Sequence, residues 1–382
     1  MEQRIEFLVR LKQKEAPLAQ LCREYGISRQ TGYTWWRRLE EGGSFTELRE
    51  HSRRPTHSPR KTRGEVEARV LALRDHYGWG ARKLQVLLAR EGIRVEEWTL
   101  NRILHREGRC GKSPQARATL QRFAREAPNQ LYQMDFKGEY RVREGWCYPL
   151  TLLDDHSRYL VGLWPLPSEK LEGVQAALEG LFREQGVPEA MLMDRGRPWW
   201  ATTSGHGLTR LSVWLLKQDI ELLYGRPYHP QTQGKAERLH RTLKERTRQE
   251  GVPPDLAAWG RWAVAFRGEY NAVRPHEALA MRTPGEVYTQ ANLRPYQERP
   301  APYPYPRGAV RRLNTQGCLK WQGRLWFVCE ALAKEEVGVE EIEDVVIVSY
   351  RATTIRELDL RTRTTRALVT RVRNPNVSGM SC

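Results

Sequence analysis

A multidomain chain is predicted: α-helical units with a helix-turn-helix arrangement at the N-terminus, then an α/β core whose mixed sheet is flanked by helices, then a small C-terminal β-barrel. Three observations predict it. Over the first hundred or so residues apolar side chains recur at helical spacing between Gly-containing breaks. Residues 128–290 alternate strand-like and helical runs. Past a Pro-rich stretch, short β-branched runs follow one another. With 382 residues the chain is long enough for several domains and a sizeable core.

Residues 1–50 form the first predicted domain. Leu8, Leu11, Leu18, Leu21 and Cys22 fall at helical spacing; Glu24-Tyr25-Gly26-Ile27-Ser28 breaks it, and a second helix runs from Arg29 to about Glu40. Gly26 suits a tight turn and Ser28 can cap the next helix. A helix, a short Gly-containing turn and a helix make a helix-turn-helix. Its second helix would offer Arg29, Gln30 and Tyr33 to a major groove, with Arg37 and Arg38 near phosphates. An ordinary helical hairpin with a solvated basic face is the alternative.

Residues 51–63 read as a basic Pro-containing linker; Arg53 and Arg54 in it could lie along a minor groove or simply be solvated. Residues 64–127 read as a second helical unit plus linker, with helices over Glu65–His76, Ala81–Glu91 and Thr99–Arg106. Residues 128–290 are the α/β core. Strands are predicted at Tyr132–Phe136, Trp146–Leu153, Tyr159–Leu166, Glu189–Asp194 and Glu221–Leu223. Helices are predicted at Glu169–Gln185, Leu208–Gln218, Gln231–Glu250 and Leu256–Tyr270. Residues 291–310, with Pro300-Ala301-Pro302-Tyr303-Pro304-Tyr305-Pro306, read as a semi-rigid linker. Residues 311–374 hold five short strand-like runs, the expected barrel, and 375–382 a tail.

The formal charge of +17 favours a polyanionic partner, nucleic acid or a membrane surface. Residues 1–127 carry 27 Lys and Arg against 16 Asp and Glu, which leaves +6 for the rest. No apolar run approaches the roughly 18–20 residues of a spanning helix, and the N-terminus lacks a signal-peptide core. A cytoplasmic protein is expected. The six cysteines are scattered without a C-x-x-C pair, so free thiols are expected and no zinc site.

Cutting a phosphodiester needs an activated attacking oxygen and a stabilised leaving oxygen, and two divalent cations do both. Mg²⁺ prefers carboxylate oxygen. Asp135 follows the strand-like Leu131-Tyr132-Gln133-Met134, where a carboxylate is costly unless paired. Asp194 ends the run Ala190-Met191-Leu192-Met193, at the strand tip where open α/β sheets place ligands. Glu237 is the best third acid. Arg241, Lys244 and Arg248 share its helix face, whereas Leu239 and Leu243 fall on another side. A surface helix with weak Glu–Arg pairs remains the alternative. Asp154 and Asp155 compete for the same role, but hairpin capping suits them better.

These runs together resemble a known family. Gln133-Met134-Asp135-Phe136-Lys137, Leu152-Leu153-Asp154-Asp155-His156-Ser157-Arg158, Met193-Asp194 and the block from His229 through Glu237 to Lys244 are similar to the integrase catalytic core. The similarity is closer still to bacterial insertion-sequence transposases carrying that core. Tyr270-Asn271, Arg274-Pro275-His276, Thr283-Pro284, Glu24 to Arg29 and Ser52-Arg53-Arg54-Pro55 extend the resemblance over most of residues 16–290. It implies an RNase H-like fold and an Asp-Asp-Glu triad that falls on Asp135, Asp194 and Glu237, both catalytic and metal-ligating. It implies two Mg²⁺ or Mn²⁺ ions with DNA bound, and a homo-oligomer on double-stranded DNA, both element ends and target. The implied reaction is hydrolysis at the element's 3′ ends and their joining to target DNA. One departure is Asp194-Arg195-Gly196, where the family usually has Asn after the acid; Arg195 could pair with the carboxylate or reach a phosphate. A catalytically inactive DNA-binding regulator and an RNase H-type nuclease are the rival readings.

Overall fold

The computed structural model describes residues 2–43, 61–110, 124–196, 198–201, 207–225 and 234–368. It divides into two compact units, Met1–Glu67 and Ala68–Cys382.

The first unit contains α1 (Glu2–Lys12), α2 (Leu18–Glu24) and α3 (Arg29–Gly42). The helical spacing from Leu8 to Cys22 is served by two helices, because Pro17 has no N–H to continue a helix and instead sits just before α2. Phe7, Leu8, Leu21 and Cys22 are buried together. Gly26 turns the chain at φ +65°, a conformation that favours glycine. The Ser28 hydroxyl then accepts from Thr31 N–H at 3.1 Å and caps α3. At Gly32 a Cβ would stand 2.7 Å from the Cys22 sulfur, so glycine lets α3 close on α2.

Three more helices follow: α4 (Gly64–Tyr77), α5 (Ala81–Arg90) and α6 (Glu97–Arg106). Leu84, Leu88, Leu100 and Ile103 are buried on their inner faces. The core then runs β1 (Tyr132–Phe136), β2 (Tyr140–Val142), β3 (Gly145–Asp154), β4 (Leu160–Leu166), α7 (Leu171–Gln185), β5 (Ala190–Met193), α8 (Arg210–Lys217), β6 (Glu221–Tyr224), α9 (Gly234–Glu250) and α10 (Leu256–Ala272). β1 pairs antiparallel with β3 and parallel with β5, which pairs parallel with β6. β4 and the short β2 both pair antiparallel with β3. The sheet is therefore mixed, with β1 near its centre.

Alternation along the strands sends side chains to two faces. Leu150 and Leu152 pack with Val174, Leu178 and Phe182 of α7 and Leu211 and Leu215 of α8. Leu153, Leu160 and Leu163 pack with Leu239 and Leu243 of α9 and Trp259 and Phe266 of α10. Helices thus cover both faces. No described helix is long and apolar enough to cross a membrane.

The Pro-rich stretch is strapped to the core. Val187 and Arg294 exchange backbone hydrogen bonds, and Gln218 and Gln297 bond each other. Beyond it lie β7 (Ala309–Arg312), β8 (Cys318–Trp321), β9 (Arg324–Phe327), β10 (Glu336–Ile342), β11 (Val345–Tyr350), β12 (Thr353–Asp359) and β13 (Thr364–Ala367). The expected barrel is not closed among the described residues: a sheet ordered β13-β12-β11-β10-β7 stands beside a separate β8-β9 hairpin. Its edge strands are four residues each and mostly exposed, so they present little to pair.

Candidate active site

Asp135 lies on β1 opposite Thr151 of β3. On the other side of β1, Gln133 is level with Leu192 of β5, so the same register carried two residues on brings Asp135 beside Asp194. Asp194 sits just beyond the end of β5, and its Oδ1 accepts from Gly196 N–H at 2.9 Å. A Cβ on residue 196 would be 2.9 Å from the Asp194 Oδ2, so glycine makes room for the carboxylate over its own turn.

Glu237 is exposed in the first turn of α9, where an acidic side chain suits the helix dipole. Two contacts fix that turn to the sheet. Ala236 N–H donates to the Gln133 side-chain oxygen at 3.3 Å, and Gln133 is two residues from Asp135. Lys235 Nζ donates to Asp155 Oδ1 at 2.5 Å, and the Gln133 amide donates to the same oxygen at 2.7 Å. Asp155 is fully buried, so this network satisfies a charge that would otherwise be costly. Asp154 caps its turn, as its hairpin position predicts, accepting from Ser157 N–H at 2.7 Å and the Ser157 hydroxyl at 2.5 Å. Lys235, Gln133 and Asp155 were not singled out as a group by the sequence, because Lys235 meets Asp155 across 80 residues and Gln133 meets the α9 backbone across 103.

Electrostatics show which acids share a neighbourhood. The Asp135 carboxyl is pushed up to about 7, first by burial, then by the charge of Asp194 and, more weakly, of Glu237 and Glu169. Glu169, just before α7, is itself raised by burial and by Asp194. It is a fourth acid that sequence reading took only as a helix start.

His240, one turn after Glu237, is also at this spot. Its Nε2 lies 2.8 Å from the Thr151 hydroxyl, which donates its one proton to the Asp135 carbonyl at 2.9 Å. The hydroxyl must therefore accept from His240, which puts the imidazole hydrogen on Nε2 and a lone pair on Nδ1. Burial, with Lys137 nearby, lowers the imidazole to about 4, so it is neutral at pH 7. Nδ1 faces Asp135 Oδ2 across 3.7 Å, which is not an ion pair while the imidazole is neutral.

The carboxylate oxygens of the acids fit a hard divalent cation in kind. Among the described residues, however, no three His, Cys, Asp or Glu side chains stand close enough to hold an ion unaided. Each acid feels the others without touching.

The remaining candidate residues are placed as follows. Arg29, Gln30, Tyr33 and Arg37 are exposed on α3 and Arg38 is half-buried. Arg53 and Arg54 lie outside the described residues. Arg241, Lys244 and Arg248 are exposed along the Glu237 face of α9. Arg195 makes no ion pair with Asp194 among the described residues; its guanidinium lies over Trp200, 4.9 Å from the ring centre.

A central strand flanked by antiparallel and parallel neighbours, with acids at strand and helix ends and a helix-turn-helix unit earlier in the chain, defines the class: a DNA-binding protein with an integrase-type catalytic fold. Residues 125–230 and 218–284 each match an integrase core domain, residues 3–56 a helix-turn-helix domain and residues 31–104 a homeodomain-like domain. The chain is 24% identical over 216 residues to an insertion element IS407 protein of Burkholderia multivorans, covering 54% of this chain and 74% of that one. It is 28% identical over 120 residues to the Pro-Pol polyprotein of feline foamy virus, covering 31% of this chain but only 9% of the polyprotein. Among solved structures, a chain of the simian T-cell lymphotropic virus intasome has a TM-score of 0.39 at 12% identity, covering 78% of this chain and 98% of that one. The catalytic core domain of BIV integrase has a TM-score of 0.31 at 22% identity, covering 42% and 93%. Both structural overlaps are slight. By these matches the chain carries an integrase core domain together with helix-turn-helix DNA-binding domains, and it is similar to an insertion-element protein.

Proposed function

We propose that the protein hydrolyses the 3′ ends of its mobile element and joins them to target DNA, with Asp135, Asp194 and Glu237 as catalytic and metal-holding residues. The observation that supports this reading is that strand register sets Asp194 beside the half-buried Asp135, whose carboxyl also feels the charges of Glu237 and Glu169. Like charges gathered without a cation are unfavourable, and their purpose is met when cations arrive. Bound there, two Mg²⁺ or Mn²⁺ ions would activate the attacking oxygen and stabilise the leaving one.

The chain's own groups do the rest. Lys235, Gln133 and Asp155 hold the first turn of α9, and so Glu237, against β1. His240 keeps its lone pair toward Asp135 and so holds no competing proton there. Arg241, Lys244 and Arg248 line the approach and hold phosphates. In the first step a water oxygen bonds to phosphorus as the bond to the 3′ oxygen breaks, leaving a 3′-hydroxyl. In the second, that hydroxyl oxygen bonds to a target phosphorus and the target's own 3′ oxygen leaves.

Exposed Arg29, Gln30, Tyr33 and Arg37 on α3, with Arg38, would meet bases and phosphates of an element end, helped by Arg53 and Arg54. Both ends must be held together, so a homo-oligomer on DNA, in the bacterial nucleoid, completes the reading. The test is joining of a duplex taken from the DNA flanking the chain's own coding region into plasmid DNA. Wild type should join only with Mg²⁺ or Mn²⁺, and Asp135→Asn should lose at least a thousandfold. Equal joining by Asp135→Asn, or none by wild type, overturns the proposal, and cleavage of RNA–DNA hybrids without joining would favour a nuclease.

A further inference from the structure

Between α4–α6 and the α9–α10 pair lies a cavity of about 710 Å³. It is within the size of small-ligand sites. The α9 face that begins with Glu237 continues through Arg241 and Lys244 to Arg248, and Arg248 is on the cavity wall. The helix rise puts Arg248 roughly 16 Å from Glu237. That is the length of about five nucleotides of one strand.

Most cations on the wall are occupied. Arg74 donates to the Gly78 and Trp79 carbonyls, Arg109 pairs with Asp75, and Arg246 pairs with Glu269. Arg248 and Arg274 have no carboxylate partner among the described residues. Arg274 lies over Trp79 at 5.3 Å and reaches the Thr242 hydroxyl at 3.3 Å, which leaves most of its donors unused. With Asp75 and Glu269 already paired, Glu245 is the one unpaired acid on the wall among the described residues, so Arg248 and Arg274, neither with a carboxylate partner there, outweigh it. The wall also offers Tyr77, stacked on Trp79 at 4.3 Å, and the exposed amide of Asn101 from α6. The two guanidinium groups, a flat ring and an amide together fit a phosphate with a base attached.

Resting on the proposed function, we propose that this cavity receives a nucleotide of the strand running along α9 from the candidate active site, its phosphate on Arg248 and Arg274 and its base beside Tyr77 and Asn101. The second helical unit and the catalytic core would then grip one strand together.

Cys110 is an exposed free thiol on the cavity wall, whereas Cys22, Cys147 and Cys329 are buried. The test measures iodoacetamide alkylation of Cys110 by mass spectrometry on the full chain, with DNA binding followed in parallel by anisotropy. The probe is a fluorescent duplex with a single-stranded 3′ overhang. Bound DNA should slow Cys110 alkylation at least fivefold. With DNA raised until anisotropy shows each variant saturated, Arg248→Ala and Arg274→Lys should each undo at least half of that protection. Arg248 is exposed, so its variant carries the test if Arg274→Lys does not fold. DNA that binds without protecting Cys110 overturns the inference and leaves the proposed function standing, as does protection that survives both variants. Equal protection by orthophosphate alone overturns the nucleotide assignment in favour of a plain anion. DNA that speeds alkylation points to displacement of a segment of the chain and also overturns it. No DNA binding at all overturns both readings.

Discussion

Asp135 keeps its proton to a pH where most carboxyls have long lost theirs, and this has a consequence for stability. Its folded-state value of about 7 is above the ordinary 3.8, so the native chain holds the proton more tightly than the unfolded chain does. The stabilisation is complete below about 3.8 and disappears as pH rises through 7. A difference of about three units corresponds to at most about 4 kcal/mol. Asp135→Asn removes the charge without changing shape. In thermal melts at pH 8 without divalent ions it should unfold several degrees above wild type, with the gap narrowing at pH 5 and closing below about pH 3.8. A variant no more stable than wild type at pH 8 would mean the acids do not repel. The strand positions of Asp135 and Asp194 were legible in the sequence because each stands in or at the end of an apolar run. The place of His240 was not: it is set by Thr151, 89 residues away.

At the scale of elements, α9 has two tasks. Its buried Leu239 and Leu243 anchor it to the sheet, and its first turn is tied down by Lys235 and Asp155. Lys235→Met would strand a fully buried carboxylate, at a cost of about 3–5 kcal/mol. Adding Asp155→Asn should recover a large part of that loss, because neither charge then lacks its partner. Urea denaturation of wild type, both single variants and the double variant measures this, and strictly additive losses would rule out the coupling. The helix itself was legible from its spacing, as were β1, α7 and α10. Strand β10 was missed although it lies inside the C-terminal sheet between β11 and β7. Glu336-Val337-Gly338-Val339-Glu340-Glu341-Ile342 is too rich in Glu and Gly to signal a strand, and pairing with two neighbours overrides that weak preference.

Across the larger unit, apolar contacts run without a break from the integrase core into the C-terminal sheet. Phe182, Leu211 and Leu215 belong to the same buried cluster as Leu332, Val337 and Val346. Lys217 pairs with Glu335 at 2.6 Å and Arg351 with Asp219 at 2.6 Å across the same junction. Leu332→Ala should therefore cost about 2–5 kcal/mol. It should lower one shared unfolding transition, seen by calorimetry, rather than a separate C-terminal one; a split transition would show that the two parts melt independently. The sequence signalled two domains here because a Pro-rich stretch looks like a tether, and nothing local reveals that Gln218, Val187 and Glu336 bind it along its length. A protease that nicks the exposed bonds near Glu298 and Ala301 would accordingly sever the chain without parting it: both fragments should travel as one particle through a sizing column and come apart only in denaturant.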